Sequence, residues 1–284
     1  MAGPGLRGRR ASIHTQAVAG TRRQTRAMEE ALVPLLLLPG TLGLCALARR
    51  GLRPGGPALE LVCCFQLCAC TQELWLLGVV GRVPAALSLS LTYLMTLAHT
   101  WTCAGALLNP TGALQQLVVG RASVRATGRA LGCQLLAAAG ARLWAVVLRG
   151  LPVSALHARA GVGCPTSLQT GLWHGAGVEL ACAFTLQCTV YLLPAARPQH
   201  RAHWMALVVT AMVYAAGHLT GAMFNPAVAL SLNFFCKGTN ISDNMFVYWL
   251  GPIAGMILAV ALFDHIFPTL KRLTGGETGT LKID

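Results

Sequence analysis

The dipeptide Asn-Pro occurs twice in this chain, at Asn109-Pro110 and Asn225-Pro226, and each copy closes the same pattern of apolar runs. Stretches near residues 57–80 and 84–107 lead to the first copy, and stretches near 172–193 and 203–223 lead to the second. Behind each lies a short amphipathic segment, Gly112 to Val119 or Val228 to Phe235, and then another long apolar run, near 127–148 or 245–267. A membrane-spanning helix needs about 20 apolar residues, which the long runs reach and the short segments do not. Glu60 precedes Asn109 by 49 residues and Glu179 precedes Asn225 by 46, so the acids repeat with the rest. Three spans per unit force the second unit to insert upside down relative to the first. The pattern therefore predicts an all-α membrane protein: six transmembrane helices plus two re-entrant half-helices in an inverted repeat.

Composition supports lipid as the solvent. The chain is 55% hydrophobic and 11% charged, too little polar surface to coat a soluble core of 284 residues. Its net charge of +13 sits in short clusters between apolar runs, without the aromatic-interleaved stripe of a nucleic-acid binder. Eleven cysteines lie mostly inside apolar runs and lack paired metal-ligand spacing, so they read as small packing residues, with no metal and no cofactor.

The expected organisation is a basic tail (1–30), an extra hydrophobic segment and linker (31–56), a first repeat (57–150), an inter-repeat loop (151–171), a second repeat (172–268) and a cytosolic tail (269–284). The extra segment, near 31–48, holds Pro34, Pro39 and Gly40 and is the shortest of the runs. Whether it spans, lies at the interface or packs outside the main fold stays open. The loops bearing Arg49, Arg50 and Arg53, then Arg121, Arg125 and Arg129, then Arg197 and Arg201, and the end bearing Lys271, Arg272 and Lys282 are richer in cations than the opposite side, which has Arg82, Arg149, Arg159 and Lys237. The positive-inside bias puts the first set in the cytosol. Asn240-Ile241-Ser242, a glycosylation triplet, then faces the lumen or exterior. Cys164 and Cys236 fall on that side too, where disulfides persist, and are expected to pair across the pore mouth; the alternative is that Cys236 only packs in the half-helix. Arg142 reads as snorkelling to the nearer surface. His99 and His218 read as packed, satisfied histidines.

Irregular backbone at membrane depth survives only where it is buried in protein or lines a wet cavity. Asn is a favoured N-cap and Pro a favoured first helical residue, so Asn109-Pro110-Thr111 and Asn225-Pro226-Ala227 each begin a helix. Head to head, their N-termini set two positive dipole ends at one point. Each Asn oxygen can cap its own helix while its amide donates to a passing solute. Such a site passes small neutral polar molecules and opposes protons and cations. Glu60 and Glu179, costly in lipid, should turn inward and accept loop-backbone N–H groups rather than catalyse; no enzymatic constellation accompanies them.

These stretches, Gly105 to Thr111 and Thr220 to Ala227, resemble the two signature loops of the aquaporin family. Tyr248 to Pro252 resembles the opening of its last helix and Gln134 its third. Thr111 in place of Ala, Cys236 nine residues past Ala227, and the Phe65-Gln66-Leu67-Cys68 run resemble the unorthodox superaquaporin branch. The resemblance implies a passive channel in the endoplasmic reticulum, or the plasma membrane or vesicles, that assembles as a homo-tetramer and passes water, glycerol and hydrogen peroxide. It maps the outer selectivity filter onto Leu89, Val213, Ala222 and Val228, where usual members carry an aromatic, a histidine and an arginine. The aliphatic set implies slower or less selective water passage. Ala229 stands where glycerol-conducting members place an aspartate, so glycerol is not positively indicated. Two other readings stay open: a non-conducting structural or regulatory protein derived from the channel fold, and an inverted-repeat secondary transporter, which would need a coupling-ion site that the spans do not supply.

Overall fold

The computed structural model describes residues 29–161, 163–234 and 236–269, and the basic tail and the final lysines lie outside them. The first repeat comprises α2 (Pro57–Trp75, continuing through a widened π-type turn to Val80), α3 (Ala85–Thr102), the half-helix α4 (Pro110–Val118) and α5 (Val124–Gly150). A short α6 (Ala155–Ala160) follows. The second repeat comprises α7 (Leu172–Leu192), α8 (Pro198–Thr220), the half-helix α9 (Pro226–Asn233) and α10 (Ile241–Thr269). Ahead of both repeats stands α1 (Glu29–Ala48).

Local chemistry sets the ends of these helices. Proline occupies the first turn of α2, α4, α8 and α9, where its missing N–H is no loss. Ser123 caps α5 through Ala126 N–H. Gly221 ends α8 in the left-handed region (φ 86°), a conformation open to a residue without Cβ.

Within each repeat the first and last spans pack together, α2 on α5 and α7 on α10, and α3 packs on α8 across the two repeats. The α2–α5 seam is built from Cys64, Cys68, Ala69, Ala137, Ala138 and Ala141, all buried. Small side chains let the backbones approach, which in lipid replaces the hydrophobic drive available in water. At the α7–α10 seam the same effect comes from glycine. A Cβ on Gly251 would sit 2.8 Å from the Ala176 carbonyl oxygen, and one on Gly255 would strike the Leu180 carbonyl oxygen. A Cβ on Gly217, by contrast, would meet only Val213 of its own helix.

The sequence leaves one apolar run open, and another is shorter as a helix than its sequence reading. The first is a continuous helix of 20 residues with mean hydropathy 2.1, carried through Pro34 and Pro39. Membrane helices tolerate such prolines because neighbours re-satisfy the freed carbonyls. It runs antiparallel to α2: Ala31 packs with Leu76 and Leu77, and Leu38 with Cys70 and Met95. It is thus an added helix, long and apolar enough to cross a membrane, along the outside of the first repeat. The run near 84–107 is helical only over Ala85–Thr102, and it is not among the six helices apolar enough to span by composition. Its Thr92, Thr96 and Thr100 dilute the hydropathy because that face lines a cavity rather than lipid.

Candidate functional site: the paired half-helices and their cavity

Each half-helix is preceded by a loop that no helix stabilises, and a buried carboxylate holds each loop in place. Glu60 accepts from Leu107 N–H (2.8 Å), Leu108 N–H (2.6 Å) and Gln134 Nε2 (2.8 Å). Glu179, fully buried, accepts from Met223 N–H (3.0 Å), Phe224 N–H (2.5 Å) and the Thr220 hydroxyl (2.6 Å). Charge-assisted bonds of this kind are the strong ones, and they secure backbone that is otherwise unfavourable. Leu108 (φ 63°) and Phe224 (φ 35°), the residues just before each asparagine, both have positive φ. Such strain persists only where its surroundings over-determine it. Tyr248 adds a bond from its hydroxyl to the Thr220 carbonyl (2.8 Å), tying α10 to the second loop.

The asparagines cap their own helices. Asn109 Oδ1 accepts from Thr111 N–H (3.0 Å), and Asn225 Oδ1 from Ala227 N–H (3.0 Å). Their amides reach across the pseudo-twofold axis: Asn109 Nδ2 donates to the Phe224 carbonyl (3.2 Å), and Asn225 Nδ2 to the Leu108 carbonyl (2.9 Å). One N–H of each amide therefore joins the two repeats, and only the second remains for a solute. Thr111 and Ala227 are fully buried behind the asparagines. The Thr111 hydroxyl donates to Asn109 Oδ1 (2.9 Å), so the Thr-for-Ala departure braces the cap and adds no polar group to the pathway.

A cavity of about 1210 Å³ passes both asparagines. At one end it reaches Pro165–Ser167 and Gln169, and at the other Ala104–Leu107 and Gln116. Leu89, Val213, Ala222 and Val228 all lie on its wall, whereas Pro110, Thr111, Pro226 and Ala227 sit behind it. Sequence reasoning missed the polar strip on α3. The Thr92, Thr96 and Thr100 hydroxyls each donate to the carbonyl four residues back (3.0, 2.8 and 2.8 Å), which leaves their oxygen lone pairs toward the cavity. The i, i+4 spacing was the available signal. His99 is packed, with Nδ1 3.0 Å from Gln66 Nε2. His218 is exposed on the cavity wall, so the packed reading fails for it.

The loop over one end of the cavity is covalently fixed. Cys164 and Cys236 form a disulfide. Backbone bonds from Lys237 N–H to the Cys164 carbonyl (2.8 Å) and from Thr166 N–H to the Lys237 carbonyl (2.9 Å) continue the attachment. Arg142 donates to Cys164 Sγ (2.8 Å) instead of snorkelling to the surface. Arg149 is not a loop charge either. Because α5 runs on to Gly150, Arg149 is buried, donates to Gln72 Oε1 (2.9 Å) and lies 5.1 Å over the Trp75 ring. Asn240, exposed at the same end, caps α10 by accepting from Asp243 N–H (2.7 Å).

An inverted repeat of membrane helices, with two half-helices joined through each asparagine to the opposite loop on a cavity that reaches toward both ends, is the architecture of a membrane channel. The chain belongs to the major intrinsic protein family, the aquaporins, whose sequence profile (Major intrinsic protein) matches residues 57–263. It is 34% identical over 242 residues to Aquaporin-11 of Equus caballus, covering 84% of this chain and 89% of that one. To Aquaporin-12 of Mus musculus it is 36% identical over 254 residues, covering 84% and 87%. The X-ray structure of the aquaglyceroporin from Plasmodium falciparum shares the fold, with a TM-score of 0.52 at 16% identity and coverage of 87% and 98%. The family's members are channels for water or small solutes, not enzymes, and this chain is a multi-pass membrane protein of that kind.

Proposed function

We propose that the protein is a passive, weakly selective pore for water and small neutral solutes, hydrogen peroxide foremost, in the endoplasmic reticulum membrane. The observation that carries this is the single cavity running past Asn109 and Asn225 to both ends of the bundle. The positive ends of α4 and α9 meet at its middle and disfavour cations and protons. Leu89, Val213, Ala222 and Val228, all on its wall, take the place of the family's filter. None of them can replace the hydrogen bonds that water loses on entry. The wall thus favours water less strongly over a larger neutral solute than an arginine-bearing filter would. Glycerol is a weaker candidate, since Ala229 is buried and offers it no acceptor. Homo-tetramer assembly is carried over from the family. The test is permeability in proteoliposomes, by stopped flow for water and an entrapped sensor for peroxide. A variant with both asparagines replaced by aspartate serves as the impaired pore. Peroxide and water flux above that variant is expected; flux equal to it at equal protein abundance would favour a non-conducting role.

A further inference from the structure

A second cavity, of about 310 Å³, lies behind the first half-helix at the arginine-rich end of the bundle. Its mouth carries Arg121 and Arg129, and its floor carries Thr127. Among the described residues the ion pairs are His157–Glu73 and Arg159–Glu30, so neither pocket arginine has a carboxylate partner. Thr127 is 4% exposed, and its hydroxyl oxygen is buried without a hydrogen-bond partner. An unsatisfied buried hydroxyl is uncommon, and a pocket beside it is a reason for one. Glu60 also borders the cavity, but its two oxygens are occupied by Leu107, Leu108 and Gln134. What faces the pocket is therefore an excess of donors.

Thr127 belongs to the first turn of α5, where Ser123 already accepts from the Ala126 and Thr127 N–H groups, so the donors left to a ligand are side chains. Gly55 and Gly56, at the start of α2, form the opposite wall, where the lack of side chains leaves room for a ligand. Two guanidinium groups and an unpartnered hydroxyl match one ligand chemistry, a tetrahedral oxyanion with several acceptor oxygens.

We propose that this pocket binds a phosphomonoester, carried by a lipid headgroup or by a soluble phosphate compound. Its inner wall includes Gly105 and Leu107, just ahead of Asn109, and Gln116 of α4. These three residues also border the conduction cavity, so occupancy would brace the re-entrant loop against α5 where the two cavities adjoin. Position favours access by lipid, because α5 begins here, at the edge of the bilayer where anionic headgroups and basic side chains meet.

The test uses the full chain in detergent and three probes: short-chain phosphatidylinositol monophosphate, inositol monophosphate and inorganic phosphate. Binding is read by native mass spectrometry and by ligand-induced thermal stabilisation. Replacing Arg121 and Arg129 together by Gln should weaken binding about tenfold or more, and Thr127→Val by a few fold. Arg50→Gln, an exposed arginine at the same end but outside the pocket, should leave it unchanged. Each variant's melting temperature without probe checks folding. Binding of the lipid alone assigns a headgroup site, and equal binding of all three assigns a free-phosphate site. The proposal is overturned if no probe binds, or if Arg50→Gln weakens binding as much as the double variant, which would mean diffuse surface charge. Neither result depends on whether the channel conducts.

Discussion

Val228 sits on the cavity wall in the first turn of α9, at the position that the family resemblance assigns to the filter cation. A guanidinium there would narrow the mouth and add fixed charge. Val228→Arg should therefore cut peroxide permeability several-fold more than water permeability, read in proteoliposomes with matched protein content. An equal change in both fluxes would remove Val228 from any selectivity role. Burying the charge without a partner carries its own cost, so abundance has to be measured in parallel. The glutamates pose a different residue-scale question. Glu179→Ala would strand two buried loop N–H groups and the Thr220 hydroxyl, a loss of about 3–5 kcal/mol. Glu179→Gln keeps one acceptor oxygen and should lose roughly half as much. Thermal unfolding in detergent would order the pair, and equal melting temperatures would contradict the bracing role. Both glutamates and both asparagines were legible because they recur at matching places in the two repeats. Arg149 was not, since nothing local shows that α5 continues far enough to bury it.

At the scale of elements, the half-helices were legible because an Asn cap followed by Pro starts a helix wherever it lies. Their ends came out one or two residues earlier than the amphipathic pattern suggested, at Val118 and Asn233. The loop after α6 depends on a long-range link. Cys236→Ser should release the segment from Cys164 to Gln169 from α9, costing about 2–4 kcal/mol, because the bridge closes 72 residues of chain. A gel-mobility shift on reduction of the parent, absent in the variant, would report the bond. Unchanged stability would show that the backbone bonds at Thr166 and Lys237 suffice. The α7–α10 seam makes a sharper demand. Gly255→Val places carbon against the Leu180 carbonyl and should cost about 3 kcal/mol or more. Gly132→Val, with nothing within 4 Å of its Cβ, should be tolerated. Yields of monodisperse protein would separate the two.

Across the whole molecule, α1 changes the topology. Antiparallel to α2, it begins near α6, where Arg159 pairs with Glu30 (2.6 Å), and ends where Arg49 reaches Gln66. Crossing by α1 as well would put Glu29 and Thr269 on opposite sides of the membrane. In sealed microsomes a tag ahead of Glu29 should be protected from protease, and one after Asp284 digested. A digested N-terminal tag would mean that α1 does not cross. Arginines flank α1 at both ends, so charge bias alone leaves its direction undecided, and packing along α2 sets it.

Periodicity, duplication and the chemistry of Asn, Pro and buried Glu determined by themselves that this chain is an inverted helical repeat with two half-helices at its centre. Those features are local or repeat at a fixed interval, so they need no knowledge of which surfaces meet. The tertiary structure alone decided which polar atoms face the cavity. It turned Thr111 away from the cavity and three threonines of α3 toward it, joined each asparagine to the opposite loop, and left Thr127 without a partner beside two arginines. Contacts between residues as far apart as Gln72 and Ser231 depend on helix rotation, and the small residues at each seam determine how closely the helices pack.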